Sequence, residues 1–394
     1  MKEIMDNLQT HFTQIFGEGD KPLCCFAPGR INLIGEHIDY NGGPVMPFSI
    51  DRGTFLLMRE NRAHKHRFFS LNFPEVVFNI PVARRYQKEG ERWINYPLGT
   101  IQMLMDRGIV LPSGMDFLYF GNIPHGAGMS SSASIEVVTL FGLNKYFNLG
   151  LTRLEIVQLA KKAENDFVGL SCGIMDQYAV TYGKEGHVIL LDCSVPSHRF
   201  VRVDLGGSHE FVAINTCKRR GLTDSKYNER FAESMRALKQ LKQEYPSIEN
   251  LCDLSSEDFP RISAILEEEP LLWRRTRHVI SEKERVFMAG EALERGDMKA
   301  MGACMNASHH SLRYDYETTG FELDSLVEIL QRIPGVEGAR VTGAGFGGCA
   351  IALAKKGVIQ QSESLITQQY QLATALTPEF IPAAPSEGVS LKEC

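Results

Sequence analysis

No stretch of this chain is apolar for long enough to span a bilayer, and the opening MKEIMDNLQTHFTQIF lacks the apolar core of a signal peptide. No Cys-x-x-Cys pair occurs. The nine cysteines are scattered, Cys24 and Cys25 adjacent, and their count is odd; that pattern suits reduced thiols and argues against both a disulfide framework and a zinc site. Basic excess is missing as well: 42 Lys and Arg stand against 48 Asp and Glu, for a formal net charge of −6. A nucleic-acid surface needs a basic stripe, so none is expected. The most basic spot, Arg274, Arg275 and Arg277, reads as a solvated helix face. Internal repeats, low-complexity tracts and Pro/Ser-rich linkers are absent. Asn306-Ala307-Ser308 matches the glycosylation pattern, which means nothing without secretion. The expectation is a cytoplasmic, water-soluble protein.

What remains is an ordinary globular composition, 43% apolar and 23% charged, over 394 residues. That length exceeds one compact core, so two domains are expected. Composition turns from strand-rich to helix-rich near residue 205, giving domains 1–205 and 206–394. Ile4, Leu8, Phe12 and Ile15 place a helix over 1–16, ended by Gly17. Strands fill 23–80 and 115–120, and a helix runs to about residue 147. Thr152 and Glu155 form a capping box that starts a helix whose inner face is Ile156, Val157, Ala160, Ala163 and Phe167. Strands return at 187–192 and 211–215, helices lie near 228–245 and 281–295, and strands close the chain around 339–354.

The densest window is Pro28-Gly29-Arg30-Ile31-Asn32-Leu33-Ile34-Gly35-Glu36-His37-Ile38-Asp39-Tyr40-Asn41-Gly42. Charges set this tightly among strand-like apolar residues would cost several kcal/mol if buried alone. They meet each other, as a structural ion cluster, or they meet a polar ligand.

Two glycine loops follow. Pro124-His125-Gly126-Ala127-Gly128-Met129-Ser130-Ser131-Ser132-Ala133-Ser134 offers turned backbone amides, hydroxyls and a helix start, the parts of a phosphate cradle. It is not a Walker loop, since the Lys is missing. Thr342-Gly343-Ala344-Gly345-Phe346-Gly347-Gly348-Cys349 contains Gly-x-Gly-x-x-Gly. A dinucleotide fingerprint needs a helix after it, whereas Cys349–Ala354 reads as a strand. Strand, glycine turn and strand is the expectation, with the turn either a plain hairpin or pressed against another loop or a phosphate.

Two acids sit where apolar residues belong. Glu164 lies at i+7 from Val157 and i+4 from Ala160, on the inner face of its helix; it needs a cation, either Mg²⁺ or a buried Arg or Lys. Asp176 lies in the core-like run Cys172-Gly173-Ile174-Met175-Asp176-Gln177-Tyr178. Burial and a neighbouring Arg would pull its pKa in opposite directions, a tension found at general bases and also at structural acids.

Together with Asp224–Arg230 and Ser308–Leu326, these segments resemble the galactokinases, sugar kinases of the GHMP superfamily, over essentially the whole chain. The glycine loops point to the superfamily; Gly29–Gly42 and the Tyr227 region point to the galactokinases. The resemblance implies an α+β, two-domain GHMP kinase fold with the active site in the interdomain cleft. It implies ATP-dependent phosphorylation of the anomeric hydroxyl of D-galactose, the entry to galactose catabolism. Asp176 would be the base and Arg30 its charge-balancing partner. Glu36, His37, Asp39, Gly173 and Tyr227 would contact the sugar. Gly126, Gly128, Ser130, Ser131, Ser132, Ala133 and Ser134 would wrap the ATP phosphates, and Ser132 and Glu164 would hold Mg²⁺. A monomer acting on small molecules, with no nucleic-acid or membrane partner, is the expected form. Two positions depart from the family pattern: Ile38 replaces Thr, removing a hydroxyl expected near the sugar, and Ser171 replaces Pro. N-acetylgalactosamine as the sugar, or a non-catalytic sugar sensor, are the alternative readings.

Overall fold

The computed structural model describes residues 2–90, 92–124, 126–205, 207–218 and 223–393. His125 of the first glycine loop and the side chains of Asp224 and Ser225 lie outside the described residues. The strands are β1 (Leu23–Asn32), β2 (Pro44–Val45), β3 (Pro47–Asn61), β4 (Lys65–Ser70), β5 (Phe73–Pro81), β6 (Gly114–Gly121), β7 (His187–Asp192), β8 (Ser197–Arg202), β9 (His209–Asn215), β10 (Val336–Thr342), β11 (Cys349–Lys355), β12 (Glu379–Ala383) and β13 (Ser390–Lys392). They form a six-stranded sheet in the order β13-β1-β3-β6-β4-β5, a four-stranded sheet β10-β11-β9-β12, and a three-stranded sheet β2-β7-β8. All neighbours are antiparallel except β4 and β6.

Helices cover both faces of the large sheet. On one face lies α1 (Lys2–Phe16), which buries Met5, Leu8, Phe12 and Phe16 against Phe26, Phe55 and Leu118. The apolar stripe is therefore rotated slightly from the one the spacing suggests, with Ile4 and Ile15 at its half-buried margin. On the other face lie α2 (Asn95–Asp106), α3 (Ser131–Phe147) and α4 (Arg153–Lys162), packed through Leu98, Val137, Leu140 and Ile156 onto Leu56, Phe68 and Phe117. The capping box at α4 is present: Thr152 N donates to Glu155 Oε2 at 2.9 Å, and Glu155 N donates to Thr152 Oγ1 at 3.2 Å. After α4 the chain widens into a π turn, Ala163–Val168, before α5 (Met175–Tyr182). Such turns recur at functional sites.

The second half holds α6 (Thr223–Leu241), α7 (Phe259–Ile265), α8 (Pro270–Glu294), α9 (Met298–Ser311), α10 (Phe321–Gln331) and α11 (Val358–Thr374). The helix expected near 281–295 is the end of the 25-residue α8, and the one expected near 228–245 starts at Thr223 and stops at Leu241. The inner face of α8 carries Arg275, Thr276, His278 and Glu282, all buried, so polarity masks its periodicity. Arg275 overturns the solvated-face expectation. It is 1% exposed and donates to Glu233 at 2.6 Å and Glu317 at 2.8 Å. Carboxylates from two other elements make burial tolerable.

The largest apolar cluster takes in residues from Ile31 to Ile50, from Ile174 to Leu191 and from Phe211 to Ala383, and so runs across residue 205. Among the described residues seven cysteines carry thiols outside any disulfide. Cys24 corrects the all-thiol expectation: it is disulfide-bonded. Among the described residues no helix is long and apolar enough to cross a membrane.

Candidate active site

The cleft is built where β1 breaks register. Pairing with β3 shifts between Pro28 and Arg30, and this bulge frees Arg30 N to donate to Met129 O at 3.2 Å. The Arg30 side chain, 4% exposed, then reaches across to the start of α5. Its Nε donates to Asp176 Oδ1 and its Nη2 to Oδ2, both at 2.8 Å, while Nη1 donates to Gly128 O at 2.8 Å. A two-pronged charged pair of this kind is both strong and directional. Ser130 Oγ adds a further hydrogen bond to Asp176 Oδ2. Ser130 is left-handed (φ 59°, ψ 48°) and places no side-chain cap on α3. A residue with a Cβ held there costs of order 1–3 kcal/mol.

Next to Asp176 on α5, Gln177 donates to Glu164 Oε2 at 2.6 Å and to Glu136 Oε2 at 3.3 Å. Burial and then the Asp176 charge push Glu164 up to about 7, against hydrogen bonds from Ser132, Cys172 and Gln177 that favour its ionised form. Glu136, fully buried behind it, is pushed well above the usual carboxylate range by burial and by Glu164. Among the described residues no cluster of three or more His, Cys, Asp or Glu could hold a metal alone. Ser132 and Glu164 still fit a Mg²⁺ ion, which takes one or two protein ligands and the rest from phosphate and water.

The sugar signature lines the same cleft through Glu36, His37 and Asp39, joined by Gly173 and Tyr227. Glu36 is 1% exposed and already engaged: Gly343 N donates to Oε1 at 2.8 Å, Asn32 Nδ2 donates to Oε2 at 2.7 Å, and the fully buried Arg340 pairs with Oε2. His37 is pushed down to about 3, by burial first and by His278 next, so it is neutral. Its Nε2 faces Ala344 O at 3.1 Å, which can only accept, so Nε2 carries the proton. The order of the chain beyond follows. Tyr40 donates to His37 Nδ1 at 2.8 Å, Tyr316 to Tyr40 at 3.0 Å, and Ser234 to Tyr316 at 2.7 Å. Asp39 is pushed up to about 6 by burial and by Asp176.

The glycine turn 342–349 does join strand to strand, β10 to β11, and it is pressed against the first loop: a Cβ on Gly343 would stand 2.8 Å from Gly128 O. Two residues expected around the nucleotide turn their side chains away from the cleft. Ala133 is fully buried in the α3 core, and Ser134 Oγ donates to Ala27 O at 2.8 Å and lies 2.9 Å from Thr54 Oγ1, because both side chains fall on the inner face of α3. Gly126, Gly128, Ser130, Ser131 and Ser132 line the cleft. Ile38 is fully buried in the main apolar cluster; the departure there is a packing one and takes no hydroxyl from the sugar side. Ser171 N donates to Asn228 Oδ1 at 3.2 Å, a bond to α6 that proline lacks the N–H to make.

Sequence reasoning missed Arg340, Tyr40, Tyr316 and Gln177 as site-building residues, although the two tyrosines lie inside segments it singled out. It also missed a cavity beside the phosphate loop, lined by Phe73, Trp93, Tyr96 and Tyr119 and sharing Gly126, Ser131 and Ser132 with the cleft. Clustered aromatics around one of only two tryptophans were the available signal.

Family models match three stretches: the galactokinase galactose-binding signature over residues 10–60, the GHMP kinases N terminal domain over 95–184 and the GHMP kinases C terminal over 290–365. The galactokinase of Enterococcus faecalis is 46% identical, over 98% of this chain and 99% of that protein. That of Clostridium beijerinckii is 40% identical over 98% of each. Among solved structures, Lactococcus lactis galactokinase complexed with galactose superposes with a TM-score of 0.95 at 41% identity, covering 98% of this chain and 99% of that one. A mevalonate kinase at 19% identity and a TM-score of 0.63, over 92% of this chain and 100% of that one, shares the fold. With matches that span the signature, the phosphate loop and Asp176, the chain belongs to the galactokinase family of the GHMP kinases.

Proposed function

We propose that the protein transfers the γ-phosphoryl group of ATP to the anomeric hydroxyl of D-galactose, giving galactose 1-phosphate and ADP. The observation that carries this reading is the Arg30–Asp176 pair, set where the sugar signature and the phosphate loop meet. Asp176 takes the hydroxyl proton as the sugar oxygen bonds to the γ-phosphorus. The bond from that phosphorus to its bridging oxygen breaks, and the electron pair leaves with ADP. Arg30 stands beside both the base and Gly128 O, where it stabilises charge building on the transferred group. Positioning and charge supply most of the acceleration in this chemistry, and a base contributes about 10²–10⁴-fold.

The aromatic cavity beside Ser131 and Ser132 suits a flat purine ring, which leaves the phosphates over Gly126, Gly128 and the start of α3. Ser132 and Glu164 would hold Mg²⁺, which neutralises phosphate charge when bound. Asp39, Glu36, His37, Gly173 and Tyr227 form the sugar wall. Acids whose remaining lone pairs must be met can reject a sugar with one misplaced hydroxyl by roughly 10⁴-fold. The same reading takes residues 1–205 and 206–394 as two domains of a cytoplasmic monomer.

The test is ADP release from Mg·ATP with galactose, N-acetylgalactosamine and glucose offered separately. Turnover with galactose alone supports the reading. Turnover mainly with N-acetylgalactosamine keeps the chemistry and overturns the sugar, and sugar binding without ADP release from any of the three makes the protein a sensor.

A further inference from the structure

A serine placed just before a helix ordinarily turns its hydroxyl inward to take the first free amides. Ser130 does not. It holds a left-handed backbone, makes no capping bond to α3, and gives its buried hydroxyl to Asp176 Oδ2. Two local penalties are accepted for one contact: a conformation unfavourable to any residue with a Cβ, and an uncapped helix. The neighbouring bonds show that the contact belongs to a larger tie. Met129 O accepts from Arg30 N at 3.2 Å and Gly128 O accepts from Arg30 Nη1 at 2.8 Å, while the rest of the Arg30 fork grips Asp176. Three successive residues of the phosphate loop are thus fastened to the base and its arginine.

Resting on the reading of Asp176 as the base, we propose that Ser130 is a positioning residue for that base and not a side-chain ligand of the nucleotide. Its hydroxyl adds a third hydrogen bond to the carboxylate whose two oxygens Arg30 already grips, and so holds it against rotation. Because Ser130 is also part of the loop that cradles phosphate, a seated nucleotide and a correctly turned base are one arrangement. Leaving α3 uncapped keeps its first amides for the phosphates.

The test is steady-state kinetics of Ser130→Gly and Ser130→Ala, alone and combined with Asp176→Asn. Glycine accepts the left-handed backbone freely, so folding is retained; alanine keeps the Cβ and loses only the hydroxyl. Both variants are expected to lower kcat by about 10- to 100-fold, the range for a slightly misplaced catalytic group. The KM for ATP and the calorimetric affinity for Mg·ADP stay within about threefold of the parent, a margin of about 0.7 kcal/mol. In the Asp176→Asn background the Ser130 change has no further effect on kcat, since it acts through that carboxylate. A raised KM for ATP with kcat intact overturns the proposal, as does an unchanged kcat, and as do losses that multiply in the double variant. Asp176→Asn alone tests the underlying reading: turnover near the parent's removes the base whatever the Ser130 variants do.

Discussion

Gly173 and Asp39 approach so closely that a Cβ on Gly173 would stand 1.8 Å from Asp39 Oδ2. No side chain fits there while Asp39 keeps its place in the sugar wall. Gly173→Ala is therefore expected to displace the Asp39 carboxylate and raise the KM for galactose by at least about 10-fold, with a smaller effect on the KM for ATP. Separate titrations of the two substrates check this; equal changes in both would place the fault in the whole cleft.

Asp176→Asn keeps the shape of the side chain but cannot take the hydroxyl proton. The expected loss is about 10²–10⁴-fold in kcat with galactose affinity preserved. Sugar binding measured by calorimetry beside a rapid-quench rate separates the two effects.

Glu164 lets pH report on the metal. Its carboxyl, ordinarily near 4.5, is raised to about 7, and Asp39, ordinarily near 3.8, is raised to about 6. A raised acid binds its proton more tightly in the folded state than in the unfolded chain. Stability is then fully supported below the unfolded values and falls as pH rises toward 6 for Asp39 and 7 for Glu164. For Glu164 the full shift corresponds to on the order of 3 kcal/mol. Mg²⁺ binds the ionised form, so its affinity should rise between pH 6 and 8, with proton release near pH 6.5. Calorimetry in buffers of different ionisation enthalpy measures that release, and Glu164→Gln should abolish it.

Arg340 is fully buried and pairs with Glu36 beneath the sugar loop. Arg340→Met removes the cation and leaves a buried carboxylate with neutral donors only, and breaking a buried pair typically costs about 3–5 kcal/mol. A fall in Tm is expected, and Arg340→Met with Glu36→Gln should recover a large part of it. A double variant no more stable than Arg340→Met would show that the pair is not what the single change breaks.

Ile38→Thr restores the family's usual residue at a site that packs into the core. A hydroxyl there lies away from the cleft, so the KM for galactose should stay unchanged while stability drops by about 1–3 kcal/mol. A shift in sugar KM would return position 38 to the sugar wall.

Much of this was legible in residue order. The capping box at Thr152 and Glu155, the strand–turn–strand at 342–349 and the misplaced acids Glu164 and Asp176 all announce themselves locally, through periodicity or its violation. The supports of the site do not. Arg340 meets Glu36 across 304 positions, and Arg275 finds Glu233 and Glu317 on other elements. A basic run carries no mark of the carboxylates that will enclose it. Polar residues on the buried face of α8 hid half of a helix for the same reason.

The strand β13 consists of residues 390–392 and completes the sheet whose β1 carries Arg30. During synthesis, then, β1 stays an open edge until residues 390–392 have left the ribosome. An unpaired edge invites pairing with other chains, so the nascent sheet carries that hazard at β1 until β13 docks. Protease sensitivity of stalled nascent chains should persist in β1 until residue 392 emerges.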